Sequence, residues 1–488
     1  MSGVKPDLRQ SHSALATPKF RATGQRQATR RLPTPADRVH SSHHTMRSAL
    51  LCLSLTACLA GTHPCLAADF EADAKVWSEQ HASDLEDAAK LSAEGYPTDG
   101  NQILLTLAEE DGGPVAAFVI ANALYGSDPA SSYRLHLRAQ SALPDEPAVA
   151  LGVALEQHRR GEYAAASANY RRVLATGKLA HFSALLADCL VRTGQLKAAV
   201  TAWNRADPVR HHTEVDYAIC AVYGPLLPTQ RRGDLIAQIE KGDLTKLASL
   251  ILLDLAFDTD WWNAKIYEDG LNRDLKRAAE LLGRKDARYV ALALYAKLTR
   301  ATEKKASDIQ KALQDAKLVI GPGAELPADS QVARALCELA VTAKLITPAE
   351  LWAAYETPLR ARVESQDRDA LHLLCWLAAA NRNPVLTDLD RQGWEEWNDP
   401  AFASSYLVDL FREKKVTSPR DSQLLAAMAI APDNATLCNL RIALAGDDVT
   451  NDLIVDAIKA EYRKLSFGET QRDSSRLNNL FDVLGKRL

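Results

Sequence analysis

Asp258 and Asp260 flank Thr259 and run straight into Trp261 and Trp262. Two carboxylates beside two indoles are the parts of a site for a sugar ring or an organic cation. The same residues serve plain structure equally well, because aspartate caps helices and tryptophan packs between them. The structural reading is the one favoured here. Trp394–Glu395–Glu396–Trp397 poses the same choice. Two tryptophans three apart share one helical face, so they are expected to pack against a neighbour, with an aromatic partner-binding patch as the functional option. His211, His212, Glu214 and Asp216 are residue types that ligate metals. Adjacent histidines diverge, however, and no second pair completes a zinc set. No P-loop, dinucleotide-binding glycine motif, nucleophile elbow or His-Glu-x-x-His occurs. The chain is therefore read as non-catalytic, with no metal and no cofactor.

The elements around these residues are helical. Runs of Ala, Leu, Glu, Arg and Lys dominate, and alternating strand-type segments are nearly absent, so the expected fold class is all-α. The most regular stretch runs from Ala148 to Ala206 and holds two copies of one helix–turn–helix pattern. In each, an apolar helical face (Val149, Val153, Leu155; then Leu186, Leu190) is broken by a glycine, Gly161 or Gly194, 33 residues apart. A second face follows: Tyr163, Ala166, Tyr170 and Val173 in the first copy, and Leu196, Ala199, Trp203 and Ala206 in the second. Ala166 and Ala199 are small where two helices must come close.

This arrangement resembles the tetratricopeptide repeat. By position, the family's turn glycine falls on Gly161 and Gly194, and its next large residue on Tyr163 and Leu196. Its alanine falls on Ala166 and Ala199, its aromatic on Tyr170 and Trp203, and its helix-closing alanine on Val173 and Ala206. The family's first-helix tryptophan and leucine–glycine pair are replaced by Ala150 with Val153–Ala154, then Ser183 with Leu186–Ala187, and its proline after the second helix becomes Lys178. A weaker copy spans about Gly113 to Glu146, and Ala429–Leu437 echoes the junction between two repeats. The resemblance implies a helical-hairpin repeat solenoid, which buries each repeat against its neighbours and leaves a surface for partners. It also implies that His158, Arg159, His181, Asp188 and Arg192 face a groove that takes another protein or a peptide; the alternative is a solvated helix face.

The resulting division is residues 1–45 as a disordered, over-extended start, 46–68 as a signal peptide, 69–320 as the repeat-like region and 321–488 as an irregular C-terminal helical region. Gly321–Pro322–Gly323 marks the last boundary. Met46–Arg47 precedes a short apolar run and small residues at Ala67 and Ala68, the layout of a secretory signal too short to span a bilayer. That places the mature chain in the periplasm or outside the cell. Leu55–Thr56–Ala57–Cys58 resembles a lipobox, so a lipid anchor at Cys58 and a membrane-bound lipoprotein form the alternative. Residues 1–68 hold nine of 58 basic and two of 62 acidic residues, leaving 49 against 60, a net of −11 on the body. Such a surface repels phosphate backbones, so nucleic acid is excluded as a partner. Five cysteines follow the leader, all in apolar helical contexts, and are expected as buried thiols. The expected function is a non-catalytic adaptor or scaffold of the bacterial cell envelope. The alternatives are a helical envelope enzyme or carbohydrate-binding protein, or an outer-membrane lipoprotein subunit.

Overall fold

The computed structural model describes residues 68–464 and 474–488, apart from 95, 178, 224–225, 259–263, 301–305, 316–319, 328 and 343. The leader and its candidate anchor Cys58 lie outside the described residues, as do Asp260, Trp261 and Trp262. Among the described residues every regular element is a helix, and most helices pack against their neighbours in chain order. No helix among them is long and apolar enough to cross a membrane. The described residues form two compact units, 68–230 with 474–488, and 231–464.

The first unit is built of helical hairpins: Ala82–Glu94 with Pro97–Asp111, Pro114–Leu124 with Pro129–Ala142, Pro147–Arg159 with Tyr163–Ala175, and Ser183–Arg192 with Leu196–Arg205. Each hairpin closes on itself, and its second helix packs on the first helix of the next. Prolines 97, 114, 129 and 147 open their helices in the first turn, where a missing N–H leaves no gap. Asp128 and Glu146 cap two of them through the N–H groups of Ser131 and Ala148.

The two repeat turns close identically. Gly161 and Gly194 take φ of 78° and 74°, a region costly for any side chain. The N–H of Glu162 then reaches the Gln157 carbonyl and that of Gln195 the Leu190 carbonyl, each at 2.8 Å. Ala166, Ala199, Tyr170 and Trp203 are fully buried, while Tyr163 and Leu196 are half-buried. Gly152 admits close approach of a different kind, since a Cβ there would collide with the His136 ring of the preceding hairpin.

After Ala206 the pattern changes. Asp207 turns the chain at φ 48°. The next helix, His212–Tyr223, packs mainly on Pro147–Arg159 and Ser183–Arg192 rather than on Leu196–Arg205. The place on Leu196–Arg205 is taken by the last helix, Ser475–Arg487. Trp203 stacks on Phe481 at 4.6 Å between centroids, and its Nε1 donates to Asn478 at 3.1 Å. The final helix thus belongs with the repeat hairpins and not with the residues before it.

The Gly321–Pro322–Gly323 turn lies inside the second unit. Val332, Leu336 and Leu339, beyond the turn, join the core of residues 235–313, while Ala333, Cys337 and Ala340 on the same helix join the following core. One helix serving two cores leaves no boundary there. The Gly321 N–H also donates to the Tyr355 hydroxyl at 2.7 Å. Thr347 and Glu350 form a reciprocal cap on Pro348–Glu364, which continues through Pro358. Ser422–Ile430 ends within Ala429–Leu437, and Asn434 caps the next helix, Ala435–Ala445.

Candidate functional site

The densest gathering of polar side chains lies where the first helices of the hairpins meet His212–Tyr223. Asp188 is at its centre. His158 Nε2 lies 2.8 Å from its Oδ2, and Arg192 Nε donates to its Oδ1 at 2.9 Å. The Tyr223 hydroxyl donates to the same carboxylate and accepts from Arg192 Nη2 at 3.0 Å. On its other side, His158 Nδ1 stands 3.3 Å from the Tyr170 hydroxyl and 3.4 Å from Cys189 Sγ. The Arg192 guanidinium lies over the Tyr163 ring at 5.0 Å. Residues at the repeat-like positions 163 and 170 therefore also shape this centre.

A second network adjoins it. Glu156 accepts from the Ser132 hydroxyl at 2.6 Å and from Arg159 at 3.4 Å. Both Arg159 Nη atoms donate to the carbonyl of Tyr125, at 2.8 and 2.7 Å, and the guanidinium covers the Tyr125 ring at 3.8 Å. Those bonds satisfy the end of Pro114–Leu124 and suit the negative pole of its dipole. The Tyr125 hydroxyl in turn donates to the Ala221 carbonyl at 2.7 Å.

The electrostatics follow from burial. Burial alone would raise the Asp188 pKa, but the His158 hydrogen bond and the Arg192 charge outweigh it and hold the carboxyl below its usual range. Burial pushes the Tyr170 and Tyr223 phenols well up, so both remain neutral donors. Cys189, His158 and Asp188 have the sequence of contacts found in a thiol–imidazole–carboxylate triad. The thiol is inert, because burial and then the Asp188 charge push its pKa far above the thiolate range. Its surroundings give it no route to a substrate: Cys189 and Asp188 are fully buried and His158 is 2% exposed. The arrangement binds helices together.

These positions correct part of the groove expectation. His158 and Asp188 do not lie on a free face, and the Arg159 and Arg192 side chains are almost entirely enclosed. The reason is the path of the chain after Ala206, which lays His212–Tyr223 over the first helices. His181 is half-buried, tilted against Phe182, with its Nδ1 3.7 Å from Glu214 Oε2. His211 approaches the same carboxylate at 3.3 Å, and His212 is exposed. Among the described residues no group of three ligand-type side chains has metal-site geometry. Trp394 and Trp397 lie half-buried against the core of the second unit, with Glu395 exposed beside them, which favours packing over ligand binding.

Sequence reasoning missed Tyr125, Glu156 and Tyr223, and two sites in the second unit. Asp399 caps Pro400–Arg412 through Ala401 N–H at 2.9 Å and pairs with Arg368 and, at 3.4 Å, His372. Asp390 is 2% exposed, beside the Cys375 thiol, and its Oδ2 has no hydrogen-bond partner. Its helix, Leu386–Trp397, is rich in charged and polar residues, so no local signal marked Asp390. Burial, reinforced by the Asp409 charge, pushes its pKa up to about 7.

A raised carboxyl pKa means that the folded state binds the proton more tightly. The stabilising share of Asp390 is therefore complete below about pH 4 and is lost as pH rises toward 7. Asp390→Asn is expected to flatten that slope and to gain roughly 1–2 kcal/mol at pH 8, less than the raised pKa alone implies because the amide keeps an unmatched polar group. Urea midpoints at pH 5 and pH 8 measure it. A variant that loses stability equally at both would show that the carboxyl is not the titrating group.

No protein-family model matches the chain, and no curated protein matches it in sequence. The functional reading therefore rests on the residues themselves.

Proposed function

We propose that this chain is a non-catalytic adaptor or scaffold of the bacterial cell envelope that binds another protein or a peptide through the first helices of a tetratricopeptide-like solenoid. One observation carries the reading. The inner side of these helices holds Glu156, His158, Arg159, Asp188 and Arg192, all enclosed. Buried ion networks contribute little net stability compared with apolar side chains of the same volume. A core selected for stability alone would have leucine at such positions. Charged and hydrogen-bonding groups there already hold the His212–Tyr223 helix, which supports the reading that this side of the helices takes a helical segment by polar contacts that set its register. The packing of hairpins in chain order supplies the rigid frame that such recognition needs.

The test is capture of tagged full-length chain from envelope fractions after chemical cross-linking, with cross-linked peptides mapped by mass spectrometry. The reading expects one recurring partner joined to residues 114–124, 147–159 or 183–192. No recurring partner, or cross-links confined to other surfaces, would count against it. The same preparation reports the mature N-terminus, expected near Asp69, and whether lipid is attached at Cys58.

A further inference from the structure

We infer that His212–Tyr223 is a resident occupant of the recognition groove, which a partner helix of the same chemistry must displace; this rests on the adaptor reading above. Three observations lead there. First, the helix leaves the stacking order. It crosses Pro147–Arg159 and Ser183–Arg192, while Ser475–Arg487 takes the next place on Leu196–Arg205. The stack is thus finished without it, and it fills the inner side instead.

Second, among the described residues of this helix Val215, Ala218, Ile219 and Val222 are at most 3% exposed, with Asp216 and Ala221 also buried at 5% and 9%. The first four follow the i, i+3, i+4, i+7 pattern by which an amphipathic helix lies in a groove. Third, besides the Glu214 contacts with His181 and His211 near its start, the helix makes polar contacts at its C-terminal end. Tyr125 donates to the Ala221 carbonyl, Tyr223 joins Asp188, and Arg192 donates to Tyr223. A guanidinium and a phenol donor at that end match the free carbonyls and negative pole of a helix C-terminus. Together these contacts describe a recognition code: four apolar side chains at that spacing, then a phenol one residue after the last, at a helix C-terminal end. The partner we assign is a helix that carries this code.

The experiment uses the full-length chain and a labelled, C-terminally amidated peptide of residues 211–223 as the probe. In the wild type the tethered helix competes at an effective concentration in the millimolar range, so the peptide binds weakly. In Tyr223→Phe the resident helix loses its bond to Asp188 but keeps its apolar face. The peptide is then expected to bind at least about tenfold more tightly, and the same peptide with phenylalanine at 223 to lose that gain. Hydrogen exchange gives an independent readout. Saturating peptide should deprotect 212–223 in the wild type and leave 163–175 protected, a result that does not depend on how the variant folds. Equal peptide affinity for both chains, or unchanged protection of 212–223 at saturation, overturns the inference. Capture of a partner on the first helices without any peptide exchange would sink the occupant alone. Peptide exchange without such a partner would sink the adaptor reading alone.

Discussion

Asp188→Ala is expected to destabilise the first unit by about 3–5 kcal/mol, the range for removing one member of a buried ionic cluster. The carboxylate is fully buried and answers three neighbours at once. Its loss leaves the Arg192 guanidinium enclosed without its anion, and His158 and Tyr223 without their shared acceptor. Each unmatched group then bears its own desolvation cost. Asp188→Asn should cost clearly less, because the amide oxygen still accepts while the charge is gone. Chemical unfolding of the full chain, followed by a probe in the first unit such as Trp203 fluorescence, reads the difference. Alanine and asparagine variants of equal stability would mean that the network is held by packing and not by the carboxylate.

Trp203→Ala is expected to cost a similar amount, about 3–5 kcal/mol, as for other fully buried large aromatics. Here the loss has a specific consequence. The indole is the platform on which Phe481 stacks, and it also donates to Asn478. Without it the Ser475–Arg487 helix loses that stacking and hydrogen bond and is held by its remaining buried side chains, Leu477, Leu480 and Leu484 among them. Limited proteolysis should release the last residues from the variant long before the hairpins are cut. The double variant Trp203→Ala with Phe481→Ala should cost less than the sum of the two single changes, because the residues share one contact. Strict additivity would argue that the ring pair is not coupled.

The local parts of this fold were legible in the sequence. Gly161 and Gly194 announce their turns because only glycine takes that backbone region without strain. Ala166, Ala199, Tyr170 and Trp203 announce a buried face because their spacing repeats with the helix. The covering of the first helices was not legible in the same way. A helical wheel places Asp188 off the packed face of its own hairpin, but His158 also meets Tyr163 and Tyr170 within its own hairpin. Whether that side meets water depends on where residues 212–223 travel, and that is decided by the turn at Asp207. Nothing local in the sequence fixes a helix across elements that ended 20 and 53 residues earlier. The partner of Trp203 was hidden for the same reason, since Phe481 and Asn478 stand nearly three hundred residues away along the chain. Glu156 could have been suspected as a carboxylate in an apolar run, whereas Asp390 stands among Thr387, Asp388, Arg391 and Gln392 and bears no such mark; periodicity alone does not say which side of a helix will be covered twice.

The claim that joins these observations is that His212–Tyr223 lies across the first helices of the stack and not at its end. Placing the photo-cross-linker benzoylphenylalanine at position 125 in the full chain tests it most directly, because Tyr125 reaches the Ala221 carbonyl. After irradiation and digestion, the cross-linked product should contain residues 212–223. A product joining position 125 to other segments, with 212–223 linked instead to Leu196–Arg205 when the label is moved to 223, would contradict the account.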